Sequence, residues 1–208
     1  MKTIVTLLSL VLLLYGCSGT PDYALQAGDL LFQDNSGGLS GAIKEVTKGA
    51  NGRSFSHVGM VVPDSCGGLW VVEAAGRGVR LTPIDSFAAR GAIAAVGRVK
   101  EEHRPLIPEA VAFALRQIGT PYDSFYLYDN GKYYCSELIY DAFLFANGGT
   151  PFFSLEPMTF KVAATGEFPE EWVEHYRRLN APIPEGELGC NPSGLSRSEK
   201  IELRSSAN

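Results

Sequence analysis

The chain has 208 residues, of which 45% are hydrophobic and 20% charged, with a net charge of −5. This is enough for one globular domain with a full core, and too apolar for a disordered chain. An acidic balance without a concentration of Lys and Arg excludes a binder of phosphate backbones, so nucleic acid is not an expected partner.

At the N-terminus, Lys2 supplies a basic residue and residues 4–15 form an almost unbroken apolar run. The run is short for a membrane span and suits the apolar region of a signal peptide. It ends in Leu14-Tyr15-Gly16-Cys17, which resembles a bacterial lipobox. That resemblance implies a signal peptide over 1–16, cleavage before Cys17 and lipidation of its sulfur. It further implies a lipid-anchored tether over 17–27 and a place in the bacterial cell envelope, held to a membrane through lipid.

Residues 28–32 read as a short strand led by a Gly turn, and residues 33–54 as a Gly/Ser/Asn/Lys-rich loop with one helical turn near 42–46. Residues 55–62 and 69–74 are β runs around a turn of Pro63-Asp64 and Gly67-Gly68, which predicts an antiparallel hairpin. Two more strands are expected at 79–82 and 92–99. The period then changes. Pro108 opens a helix whose face carries Val111, Leu115 and Ile118 before Gly119 stops it. Residues 135–146 form a second helix ended by Asn147-Gly148-Gly149, and 170–179 a third opened by Pro169. Strands followed by helices predict an α+β domain around a curved antiparallel sheet, spanning 28–180, with a polar tail over 181–208 that frays at its end.

Three residues carry the chemistry. Cys135 falls at a predicted helix N-terminus, where backbone N–H groups and the helix dipole favour a thiolate; a small buried core cysteine is the plain alternative. His57 opens an apolar strand, and a period of two puts it on one face with Gly59 and Val61. Glu73 is the charged residue of the next strand, and a buried carboxylate there needs a partner. His57 is one partner within reach; Arg77 or Arg80 would be the structural alternative. Together the three supply a nucleophile, a base and an orienting carboxylate.

The Gly28-Asp29 strand, Ser56-His57-Val58-Gly59, the Glu73 strand, Gly119-Thr120-Pro121-Tyr122-Asp123 and Tyr134-Cys135-Ser136-Glu137-Leu138 occur in that order. They resemble the circularly permuted papain-like cysteine hydrolases of the YiiX type, relatives of the NlpC cell-wall amidases, over about residues 28–145. In papain the cysteine precedes the histidine; here, as in that family, the histidine comes first. The resemblance implies a permuted papain-like fold, with a curved sheet or partial barrel packed with helices. It makes Cys135 the nucleophile, His57 the general base and Glu73 the residue that orients the imidazole, where papain uses Asn. Tyr122 is a second candidate donor to the oxyanion or substrate, or a plain core-rim aromatic.

The implied reaction is hydrolysis of amide bonds in cell-wall peptides, such as peptidoglycan fragments, or in related small amides. Lipid acyl transfer or thioester hydrolysis by the same three residues is the alternative enzyme, and a surface lipoprotein that only binds a ligand the alternative without catalysis. With Cys17 lipidated and Cys135 kept as a thiol, Cys66 and Cys190 remain as a possible disulfide. Asp123 and Asp129 are expected in solvated loops, Glu137 as a favourable charge in the first helical turn, and His103 and His175 at the surface. The sequence has no Gly-rich phosphate loop and neither Cys-x-x-Cys nor His-Glu-x-x-His spacing, so no cofactor or metal is expected.

Overall fold

A computed structural model describes residues 24–64 and 67–205. The expected signal peptide over 1–16, Cys17 and Cys66 lie outside the described residues. β1 (Leu30–Gln33) is followed by α1 (Gly38–Val46), a longer helix than the single turn read from the sequence. β2 (His57–Pro63) and β3 (Leu69–Ala75) pair antiparallel as the expected hairpin, with Met60 opposite Val72 and Val61 opposite Val71. β4 (Gly78–Pro83), α2 (Ile84–Arg90), β5 (Ile93–Val99) and α3 (Ile107–Arg116) follow. The chain closes with α4 (Cys135–Ala146), β6 (Glu156–Pro157), α5 (Glu170–Leu179), β7 (Leu188–Gly189), α6 (Pro192–Ser196) and β8 (Ile201–Ser205).

Six strands form one antiparallel sheet in the order β4-β3-β2-β1-β5-β8, and β6 pairs with β7 apart from it. Strand alternation divides the sheet into two faces. Val58, Met60, Val62, Val72 and Ala74 point into the larger core, where they meet Leu138, Ile139 and Phe143 of α4. Val61 and Val71 point the other way, into a smaller cluster closed by Phe87 of α2. α4 is buried along most of its length because the sheet and α3 enclose it, and Phe143 stacks on Phe152 at 4.7 Å. Each such large apolar side chain, fully buried, contributes on the order of 2 kcal/mol.

Two expected boundaries are wrong. Residues 181–205 are not a tail outside the domain, nor does the chain fray over 201–205, for β8 adds to β5 along its whole length, Ala95 opposite Ser205 through Val99 opposite Ile201. Ile201 and Leu195 are buried in the main core, which explains how a polar stretch with few apolar residues still folds. The tether also ends sooner than expected. Arg98 donates to the Ala24 carbonyl (2.9 Å) and bridges both oxygens of the buried Asp29 (2.9 and 2.6 Å), fastening residues 24–29 to β5.

Candidate active site

Glu73 is fully buried and holds four partners. Its Oε2 lies 2.7 Å from His57 Nε2, and its Oε1 accepts from Thr82 Oγ1 (2.6 Å) and Arg80 Nε (3.2 Å). Arg90 Nη2 donates to both oxygens, 2.7 Å to Oε2. Burial works against the Glu73 charge, but His57, Arg90 and Thr82 overcome it and take its pKa down to about 2. The sequence alternatives are thus both realised: the carboxylate meets the imidazole and an arginine at once. Gly59 makes this possible. A Cβ there would come within 2.4 Å of Val71 and 3.3 Å of the Glu73 Cβ, so any other residue would push the two strands' side chains apart.

With Nε2 on Glu73, the imidazole also hydrogen-bonds the Cys135 side chain, and its ring centre lies 5.7 Å from that of Phe87. Burial opposes the positive charge on His57, yet hydrogen bonding and charge attraction from the Cys135 sulfur as thiolate and from the Glu73 carboxylate outweigh it and hold its pKa up at about 9 instead of 6.5.

Cys135 is the first residue of α4, after the extended Tyr134, and is buried at 5% exposure. Besides the packing of α4 on the sheet, a backbone seam links the loop before the thiol to β4. Residues 119–122 run along the outer edge of β4, with Val79 N–H donating to Thr120 O (2.8 Å), Gly119 N–H to Val79 O (2.9 Å) and Tyr122 N–H to Arg77 O (3.2 Å). Gly78 permits the approach, since a Cβ on it would fall 2.2 Å from the Thr120 oxygen. Tyr122 then bridges Tyr133, two residues before Cys135.

The remaining candidates divide. Tyr122 donates to Tyr126 Oη at 3.4 Å, and burial, reinforced by Tyr126 and Cys135, pushes its phenol well above the usual value, so it remains a proton donor close to the thiol. Asp123 is not solvated: it is fully buried and accepts from Phe125 N–H (2.9 Å) and Leu127 N–H (2.7 Å), which shapes the loop ahead of Tyr133. Asp129 is exposed, as expected. Glu137 is also fully buried, accepting from the N–H groups of Asp129 (2.9 Å) and Tyr134 (3.4 Å), and burial pushes its pKa up to about 8. It ties the loop to the first turn of α4.

The two other histidines are half-buried rather than exposed. His103 stands edge-on to Phe152, and His175 Nε2 is 2.7 Å from the Ser124 carbonyl. Cys190 is a free, buried thiol beside Tyr134 Oη, and burial pushes its pKa up. Its expected partner Cys66 lies outside the described residues. Sequence reasoning missed Arg90, because α2 is only seven residues long and shows no helical period. The signal was there in Pro83 followed by Asp85, a helix start that ends in arginine.

A helix-borne cysteine met by a histidine from an earlier strand, on an antiparallel sheet, has the architecture of a papain-like hydrolase with its sequence order permuted. A family model of the permuted papain-like amidase enzymes, the YaeF/YiiX or C92 family, matches residues 24–202, and the chain belongs to that family. It is therefore a papain-like hydrolase of amide bonds. The chain also resembles the crystal structure of metalloprotein yiiX from Escherichia coli O157:H7, with a TM-score of 0.70 and 23% identity over 88% of this chain and 97% of that one. No curated protein matches the sequence.

The description of that structure as a metalloprotein invites a test of the same residues here. They do not suit an ion: Glu73 spends its oxygens on two guanidinium groups, a hydroxyl and the imidazole, and among the described residues no three His, Cys, Asp or Glu side chains gather as a ligand set.

Proposed function

We propose that Cys135 attacks the carbonyl of an amide, with His57 as its base and Glu73 holding the ring. The observation that carries this is the 2.7 Å contact of His57 Nε2 with buried Glu73, which leaves the other ring nitrogen for the thiol at the start of α4. Proton transfer from Cys135 to His57 gives a thiolate–imidazolium pair. The sulfur forms a bond to the carbonyl carbon, and the oxyanion sits at the Cys135 N–H, with the Tyr122 hydroxyl as second donor once it turns from Tyr126. His57 returns the proton to the nitrogen as the C–N bond breaks. Water, deprotonated by His57, then hydrolyses the thioester and frees the acid. Cell-wall peptides or related small amides are the substrates this reading favours. Screening purified protein against peptidoglycan fragments and acyl lipids, with Cys135→Ala as control, tests it; equal turnover by the variant would refute it.

The pH profile is a sharper check. His57 must be protonated to pair with the thiolate, and its proton is held up to about pH 9. The kcat/KM profile should therefore stay level through pH 8 and fall on an alkaline limb near 9. The sign follows for stability also: the charged ring's contribution is complete below 6.5 and is lost as pH rises through about 9. A limb near 6.5 would mean that the thiol and the carboxylate do not support the ring.

We also propose that the mature protein begins at a lipidated Cys17 and is held at the cell envelope. Intact-mass measurement of native protein should show a chain starting at Cys17 with acyl groups attached; an unmodified chain starting elsewhere would remove the anchor.

A further inference from the structure

Beside Cys135 lies a narrow cavity of about 40 Å³, lined by Ile43 and Val46 of α1, Met158, Phe160, Trp172 of α5 and Cys190, with Cys135 itself among its lining residues. None of its lining residues is charged. A larger hollow of about 630 Å³ near α6 and β8 is lined by Lys100, Glu102, Arg197 and Lys200, and contains neither Cys135 nor His57. The polar hollow is therefore separate from the chemistry, and the apolar one adjoins it.

The direction of the slot assigns its occupant. No residue of β2, β3 or α2 lines it, so it lies on the side of Cys135 away from His57. The leaving nitrogen must sit next to His57, because His57 is its proton donor. The acyl half of the substrate then extends the other way, into the slot. The geometry points to an apolar acyl group as the part of the substrate this enzyme recognises, either a short aliphatic chain or a hydrophobic residue of a peptide. An ammonium or carboxylate at this position would lose its hydration with no counter-charge to meet it.

This assignment rests on the hydrolase reading and can fail separately from it. One experiment measures kcat/KM for p-nitroanilides with acetyl, butyryl, hexanoyl, N-acetyl-leucyl and succinyl groups. Another measures the rate at which alkyl chloromethyl ketones of matching chain length label Cys135, read by peptide mapping. Rates should rise about fourfold for each methylene buried until the slot is full, and succinyl should be the poorest. N-acetyl-leucyl ahead of hexanoyl identifies a peptide source; the reverse identifies a fatty chain. Val46→Trp and Ile43→Trp, both at the partly exposed rim, should lower the ratio of hexanoyl to acetyl rates in either assay. Amide turnover with no chain dependence, or with succinyl preferred, would overturn the slot and keep the hydrolase. Chain-dependent labelling without any amide turnover would keep the slot and overturn the hydrolase.

Discussion

Replacing Cys135 with alanine is expected to lower kcat for amide hydrolysis by about 10⁴-fold or more, since no other group in the site can carry the acyl intermediate. The fold should survive, because the change removes one sulfur atom from a residue whose neighbours, Tyr134 and Leu138, keep their packing. Iodoacetamide gives the matching chemical result. Mapped peptides of the wild type should carry the label at Cys135 well before Cys190, whose buried thiol is pushed up. His57→Ala should slow the labelling of Cys135 by removing its base. Labelling of Cys190 first, or turnover in the alanine variant, would move the nucleophile elsewhere.

Glu73→Gln should show a large effect in two measurements at once. The amide can still contact the ring, so turnover should fall less than in Cys135→Ala. It cannot supply the charge that helps to hold the His57 proton, so the alkaline limb should move down from about 9. It also leaves Arg80 and Arg90 facing a neutral group. These arginines are 43% and 38% exposed and can turn to water, so the loss of stability should be about 2–3 kcal/mol rather than that of a fully buried pair. An unshifted limb in a well-folded Glu73→Gln protein would make the carboxylate a strut for the arginines only.

Much of this site can be read along the chain, for identifiable reasons. His57 and Glu73 sit on a two-stranded hairpin whose turn chemistry and alternation are local, and α4 begins at Cys135 as its pattern requires. What escapes is what depends on distant partners. Asp123 and Glu137 look like loop and first-turn acids, but the backbone they cap buries them. β8 has too little apolar character to declare itself, and is a strand because β5 offers it an open edge. Arg90 belongs to a helix too short to have a period, and its role exists only once α2 lies over β3 and β4. The slot is hidden most thoroughly, since Ile43, Met158, Trp172 and Cys190 share nothing until the chain has folded.

The backbone seam between residues 119–122 and the rim of β4 has a consequence for when this thiol is dangerous. Before the seam closes, Cys135 is an ordinary cysteine at the end of a helix, far along the chain from the histidine that would activate it. The seam itself is a few hydrogen bonds at an edge, but α4 is also packed on β2 and β3 through the main core, so the thiol and the imidazole come together only as helix and sheet pack. Reactivity is then a property of that closed joint and not of the residue. A molecule in which α4 has not yet packed on the sheet should be chemically quiet, and the rate at which Cys135 takes up an alkylating agent would then keep count of the molecules in which helix and sheet have met.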